Sequence, residues 1–280
     1  MSRRTLSLLA AFAVIGLAHP ASAAEDKALK AAIAGPQRGA ENAARDGARH
    51  PYESLTFWGL KPSQTVIEVS PGSGYWTEIL APYAKATGGR YLAGVADLEN
   101  PKLSEAGRKS RAAFEAKYAD EATFGRIGYV NFGTQSAPLG APGSADMVIT
   151  ARNIHNWLWQ PPMVDKAMAD FFAVLKPGGV LAVEEHRADP RPQNADARDG
   201  YVAVATVVAA AEKAGFKLEA SSEANANPKD TKDHPFGVWT LPPSRQSTKD
   251  GKGSDPAFDR ARYDAIGESD RMTLRFRKPA

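Results

Sequence analysis

Residues 65–76 read TVIEVSPGSGYW: an apolar run that ends on an acid, Glu68, then a Ser-Pro step, then glycines on either side of Ser73. Gly72 and Gly74 let the backbone approach a ligand with its amide hydrogens facing it. The same residues also suit a plain glycine turn that joins a strand to a helix. Two familiar ligand loops do not fit. A dinucleotide fingerprint, Gly-x-Gly-x-x-Gly, needs a third glycine where Thr77 stands, and a phosphate-binding loop needs a Gly-Lys-Ser/Thr ending that is absent.

A second group of chemically capable residues lies in ADMVITARNIHNW, residues 145–157. His155 changes charge near neutrality as a residue type, so it can act as a general base, with Asn156 beside it. It can equally position or cap. Trp157 and Trp159 suit either a pocket wall or the core. Glu184 and Glu185 precede His186, and on a strand adjacent acids point to opposite faces, so one of them faces any cleft. His50, His155 and His186 show no close ligand spacing, and no metal is expected.

These residues must be placed by the elements around them, and the chain alternates regularly between strand and helix. TVIEV, RYLAGVAD, RIGYVNF, ADMVITA, GGVLAVEEH, FKLEASS and DRMTLRF read as strands. GYWTEILAPYAKA, EAGRKSRAAFEAKYA, PPMVDKAMADFFAVL and GYVAVATVVAAAEKAG read as helices between them. Short, largely apolar strands alternating with helices predict a doubly wound, mostly parallel sheet of seven strands, with helices on both faces. Ligands bind such sheets at the carboxyl ends of the strands, where residues 70–74 emerge. Residues 222–270 break the rhythm. They are rich in Asn, Asp, Lys and Pro, and a connection that long between strands is usually functional or disordered. We expect them to form a lid. Residues 24–59 read as a helical cap segment, with Pro51 near a helix start and Gly59 closing the helix.

The first 23 residues, MSRRTLSLLAAFAVIGLAHPASA, carry a basic start, an apolar run and a small-residue cleavage site. The apolar run, residues 6–18, is too short for a bilayer-spanning helix, which needs about 20 residues. A cleaved export signal is expected, with the periplasm of a bacterium as destination and no membrane insertion afterwards. Ser2-Arg3-Arg4-Thr5-Leu6 fits the twin-arginine pattern and Ser7 departs from it. Cleavage removes Arg3 and Arg4 and lowers the formal charge from +3 to +1. A near-neutral chain has no global field to recruit nucleic acid. The absence of cysteine excludes thiol catalysis and thiolate metal sites.

Taken together, EVSPGSG, LKPGG before a strand and ITARNIHNW resemble the class I S-adenosylmethionine-dependent methyltransferases, over roughly residues 60–276. More narrowly the chain resembles a group of exported, poorly characterised predicted methyltransferases. They share its RHP, TEILAPY, NPKDTKDHP, GVWTLPP and GESDRMTLRF segments. The resemblance implies a last strand antiparallel to the rest, S-adenosyl-L-methionine as cofactor and a small-molecule acceptor. It places Gly72, Ser73 and Gly74 against the methionine end of the cofactor and gives Glu68 an indirect, loop-fixing role. Asp97 would take the ribose hydroxyls, since a carboxylate is acceptor-only and can receive two donors. Two positions depart from the family pattern: Ser70 replaces the first glycine of the loop, and Thr134 replaces the acid that faces adenine, leaving Gln135 to pair with the adenine edge. His155 and Asn156 would sit beneath the methyl group. These departures, with export away from the cytoplasmic cofactor supply, keep open a non-catalytic nucleoside- or small-molecule-binding protein on the same scaffold.

Overall fold

The computed structural model describes residues 25–160, 162–194 and 197–280. The export signal expected over residues 1–23 lies outside them.

Seven strands form one sheet: β1 Thr65–Val69, β2 Arg90–Ala96, β3 Gly128–Phe132, β4 Ala145–Ala151, β5 Leu175–His186, β6 Lys217–Ser222 and β7 Arg271–Arg277. Their order across the sheet is β3-β2-β1-β4-β5-β7-β6. The β1–β2, β2–β3, β1–β4 and β4–β5 pairs are parallel, while β7 runs antiparallel to both β5 and β6. The expected doubly wound sheet with an antiparallel last strand is therefore present, and β7 is wedged between β5 and β6.

Apolar side chains leave both faces of the central strands, so each face has its own core. On one face Ile67, Val148, Leu181 and Val183 pack against the helices Met163–Val174 and Val204–Lys213 through Phe171 and Val207. On the other, Val66, Ile149 and Ala182 pack against Leu55, Trp58, Ile79 and Leu80 of the helices Pro51–Trp58 and Thr77–Thr87. The cap segment thus belongs to the second core. Pro51 opens its last helix and Gly59 closes it in the left-handed conformation (φ 81°), as the sequence predicts. Trp58 adds a buried hydrogen bond from Nε1 to Leu274 O at 3.1 Å, which ties that helix to β7.

Two helices start later than their patterns predict. The helix expected from Gly74 begins at Thr77, because Tyr75 and Trp76 are used in the preceding turn, where Trp76 packs edge-on against Trp58. The helix expected from Gly200 begins at Val204, because Val202 pairs with Arg187 and donates its N–H to His186 O at 2.8 Å. Register then sets the site. Val69 aligns with Gly94 of β2 and with Thr150 of β4, so the chain leaves all three strands along one edge of the sheet.

Candidate functional site

The turn after β1 is strained at a non-glycine. Ser70 holds φ 51°, Gly72 φ 59° and Gly74 φ 90°. Left-handed backbone costs an L-residue about 1–2 kcal/mol, which Ser70 bears where a glycine would be relaxed. The two glycines do different jobs. A Cβ on Gly72 would meet nothing within 4 Å, so this glycine opens onto free space. A Cβ on Gly74 would lie 1.8 Å from Tyr118 Oη, so that glycine permits packing behind the loop.

Glu68 lies behind the loop rather than in it. It is buried, and its Oε2 accepts Tyr91 Oη at 2.5 Å and Thr77 Oγ1 at 3.0 Å. Thr77 is the first residue of the helix that follows the loop, so Glu68 fixes the loop's far end. Burial pushes the Glu68 carboxyl up to about 7, against the opposing pull of the two hydroxyl donors.

Two cavities meet on this loop. Ser70, Pro71, Gly72 and Asn153 line both. Asn153 itself bridges two strands, donating from Nδ2 to Val69 O at 3.1 Å and to Thr150 Oγ1 at 3.3 Å. The cavity on the β2–β3 side, about 460 Å³, is walled by Val95, Ala96, Phe132, Gly133 and Thr134. Arg111 crosses its rim, donating from Nη1 to Ala96 O at 2.8 Å and to Asn131 Oδ1 at 2.6 Å. Asp97 sits beside this cavity but is turned to the backbone, where its Oδ1 accepts Glu99 N–H at 3.0 Å. Gln135 is exposed and is not among the walls.

The cavity on the β4–β5 side, about 320 Å³, gathers residues that are distant in sequence. It takes Ser73 and Tyr75 from the loop, Arg45 and Arg49 from the cap, and Arg152, His155 and Asn156 from the end of β4. His186 comes from the end of β5, and Trp239, Pro243 and Glu268 from residues 222–270. The expected lid segment therefore forms a wall here. Its stem is pinned by buried polar contacts: Asn225 Nδ2 donates to Ser54 Oγ and Thr273 Oγ1, both at 2.9 Å, and Asp230 receives Tyr201 Oη at 2.8 Å.

His155 is buried and oriented. Its Nδ1 lies 2.9 Å from Glu185 Oε1, and since a carboxylate is an acceptor the contact places a hydrogen on Nδ1 and orients the ring. Glu185 is held in turn by the N–H groups of Ile154 (2.6 Å) and His155 (3.2 Å) on Oε2 and of His186 (2.8 Å) on Oε1. As adjacent acids on a strand should, Glu184 points the other way and pairs with Arg271 Nη1 at 3.0 Å. The His186 ring stands 5.2 Å from that of His155. Burial, with His155, Arg152 and Arg271 nearby, holds His186 well below the usual histidine range.

His155, Glu185 and His186 bring ligand-type atoms within 4.8 Å of one another, a grouping that the histidine spacing alone did not reveal. Both Glu185 oxygens are already filled by four N–H donors, which fits a proton-holding network better than a cation site. Sequence reading also missed Arg45, Arg49, Arg152, Asn153 and Glu268. Arg152 and Asn153 stand in RNIHNW, Arg49 in RHP and Glu268 in GESDRMTLRF, while Arg45 lies in none of the quoted segments.

No protein-family model matches the chain. Among curated proteins it is similar to the ubiquinone/menaquinone biosynthesis C-methyltransferase UbiE of Hydrogenovibrio crunogenus, at 28% identity over 152 residues. That match takes in 53% of this chain and 52% of the relative, so it spans about half the length of each. Among solved structures it is similar to an S-adenosylmethionine-dependent methyltransferase from Aquifex aeolicus. The TM-score is 0.50 at 17% identity, over 65% of this chain and 88% of that one. It is also similar to the [4+2]-cyclase SpnF, with a TM-score of 0.54 at 16% identity over 88% and 86% of the two chains. The fold is the class I methyltransferase fold. A cyclase shares that fold, so the reaction must be argued from the site and not from the sheet.

Proposed function

We propose that the protein is an S-adenosylmethionine-dependent methyltransferase acting on a small-molecule acceptor. The observation that carries this reading is the pair of cavities meeting at Ser70, Pro71, Gly72 and Asn153. One faces the ends of β2 and β3, where a nucleoside fits, and the other faces His155. The half-length likeness to a C-methyltransferase supports it.

The loop fits such a cofactor, because Gly72 opens onto free space where any Cβ would intrude. In this reading Val95, Ala96, Phe132 and Gly133 would hold the cofactor's adenosine part. Residues 70–73 would hold its amino-acid end, and Asp97 would be its ribose partner. When bound, the cofactor supplies an electrophilic methyl group on a sulfonium. The chain's own part is to position and desolvate the acceptor. His155 Nε2 accepts the acceptor's proton where it has one to lose, and Glu185 keeps the ring in the tautomer that makes this possible. Asn156 lines the same wall. Residues 238–244 close the acceptor side, and Trp239, 5.8 Å from the His155 ring, gives it an aromatic face. The reading also includes export, since residues 1–23 carry the pattern of a cleaved signal.

Calorimetry with S-adenosylmethionine on the chain lacking residues 1–23 tests the proposal. Saturable binding that Gly72→Val abolishes, with the fold intact by circular dichroism, is the expected result. Absence of binding overturns the function in favour of a binding protein for another ligand, and binding untouched by both Gly72→Val and Asp97→Ala overturns the site. Because residues 222–270 are pinned by buried contacts, their role is tested by Trp239→Ala. That change should lower turnover while leaving cofactor affinity intact.

A further inference from the structure

We propose that the small molecule taken by the His155 cavity is an aromatic carboxylate, its anionic group held by Arg45, Arg49 and Arg152. Only the word acceptor rests on the methyltransferase reading; the binding site stands without it.

The charge balance of the cavity points to an anion. Arg45, Arg49 and Arg152 line it, and Glu268 is the one acidic residue among its described walls. All three arginines turn to that single carboxylate: Arg45 Nε at 2.8 Å, Arg49 Nε at 2.9 Å and Arg152 Nη1 at 3.8 Å. Arg271 Nη1 takes Glu268 Oε2 as well, at 2.8 Å. Arg271 has Glu184 as a second partner at 3.0 Å, which leaves Glu268 as the one carboxylate shared by the three arginines that line the cavity. Arg45 and Arg49 spend only Nε on Glu268, so the paired terminal nitrogens that grip carboxylates two at a time are not used there.

Arg152 is the clearest case. Its buried Nη1 has no hydrogen-bond partner among the described residues, and 3.8 Å from Glu268 is too far for a hydrogen bond. Its backbone holds φ 58°, a conformation that costs a non-glycine residue. The cluster is built rather than draped on the surface. The Arg49 side chain is only 2% exposed, and its guanidinium lies 4.5 Å from the centre of the Tyr75 ring.

Four rings stand among the remaining walls, which are otherwise mostly small polar side chains, asparagines and prolines. Trp239, Tyr75 and the two imidazoles of His155 and His186 line the cavity. The Tyr75 ring lies against the Arg49 guanidinium and Trp239 against the His155 ring, so a flat ring can sit within reach of the arginines. A cation is disfavoured by the same arginines, and Glu185 has no free lone pair to offer it. The amino-acid end of a methionine-derived cofactor is a zwitterion. Its one carboxylate comes with its own ammonium and does not balance the excess.

Isothermal titration with benzoate, with the neutral isostere benzamide as control, tests the proposal on the chain lacking residues 1–23. Benzoate should bind and benzamide should bind at least about tenfold more weakly, the loss expected of a charge-assisted contact. Arg152→Gln and, at a more exposed position, Arg45→Gln should each weaken benzoate about tenfold. Glu268→Gln should tighten it, because it removes the competing carboxylate, and damage to the fold cannot mimic a gain. No benzoate binding, equal binding of the two probes, or indifference to both arginine changes overturns the proposal. So does displacement of benzoate by S-adenosylhomocysteine, which would assign the arginines to the cofactor's tail. Benzoate binding without any binding of S-adenosylmethionine would sink the methyltransferase reading and leave this site standing.

Discussion

The two cavities that share residues 70–72 are built in opposite ways. The β2–β3 cavity is made of strand ends, the turns that follow them and the helices packed beside them, through residues such as Arg111, Phe114 and Trp157. The β4–β5 cavity is assembled from the cap, two strand ends and the long segment before β7, and its walls are charged. One is built around the ends of neighbouring parallel strands. The other depends on contacts such as Arg45 to Glu268, 223 positions apart, and so is particular to this chain. The shared part of the site serves the general requirement, and the assembled part selects.

The sharpest way to break this contrast is Arg271→Met. The Arg271 side chain is 2% exposed and pairs with both Glu184 and Glu268; its loss strips buried Glu184 of its guanidinium partner, while Glu268 keeps Arg45 and Arg49. Denaturant melts should show a loss of about 3–5 kcal/mol, and the charged cavity should fail with the fold. A stability unchanged within error would show that the network is ornamental.

Next in size is Glu68, whose carboxyl is raised to about 7 by burial. The folded state then binds more protons than the unfolded state between the ordinary carboxyl value and 7, so stability falls as pH rises through that window. The full cost at pH 8 is about 3 kcal/mol relative to pH 4. Glu68→Gln should flatten this dependence when melts are compared across pH, and a slope that survives the substitution assigns it elsewhere.

Two glycines in one loop give a finer comparison. Gly74→Ala forces Tyr118 aside and should cost about 2 kcal/mol of stability through strain and overpacking. Gly72→Ala faces open space and should cost only about 1 kcal/mol, while weakening cofactor binding more than Gly74→Ala does. Thermal melts and titrations on the same two proteins separate the roles, and equal effects in both would erase the distinction.

The difference between the cavities also explains what could be read in advance. The strands, their parallel order and the loop at residues 70–74 are local or periodic features, and they were legible. Helix starts slipped where Trp76 and Val202 were claimed by long-range contacts that outweigh local preference. His155 was found by type, but its partner Glu185 could be narrowed only to one of two adjacent acids. The arginines were invisible for a different reason. Arg45 and Arg49 sit in a charged helical stretch where such residues ordinarily face solvent, and nothing local marks them as buried around a carboxylate supplied from the far end of the chain.

The position of β7 has a consequence for how the molecule comes into being. This strand is made last of the seven, yet it is wedged between β5 and β6, and Glu268 lies three residues before it. A nascent chain that lacks it carries Arg45, Arg49 and Arg152 with no carboxylate to gather them. The ligand cavity therefore matures only after the segment that carries Glu268 and β7 has been made, and contacts of such long sequence separation form late and slowly. A chain stopped short of Glu268 can still build the strands of the glycine loop, but it has no means of closing the ring of arginines.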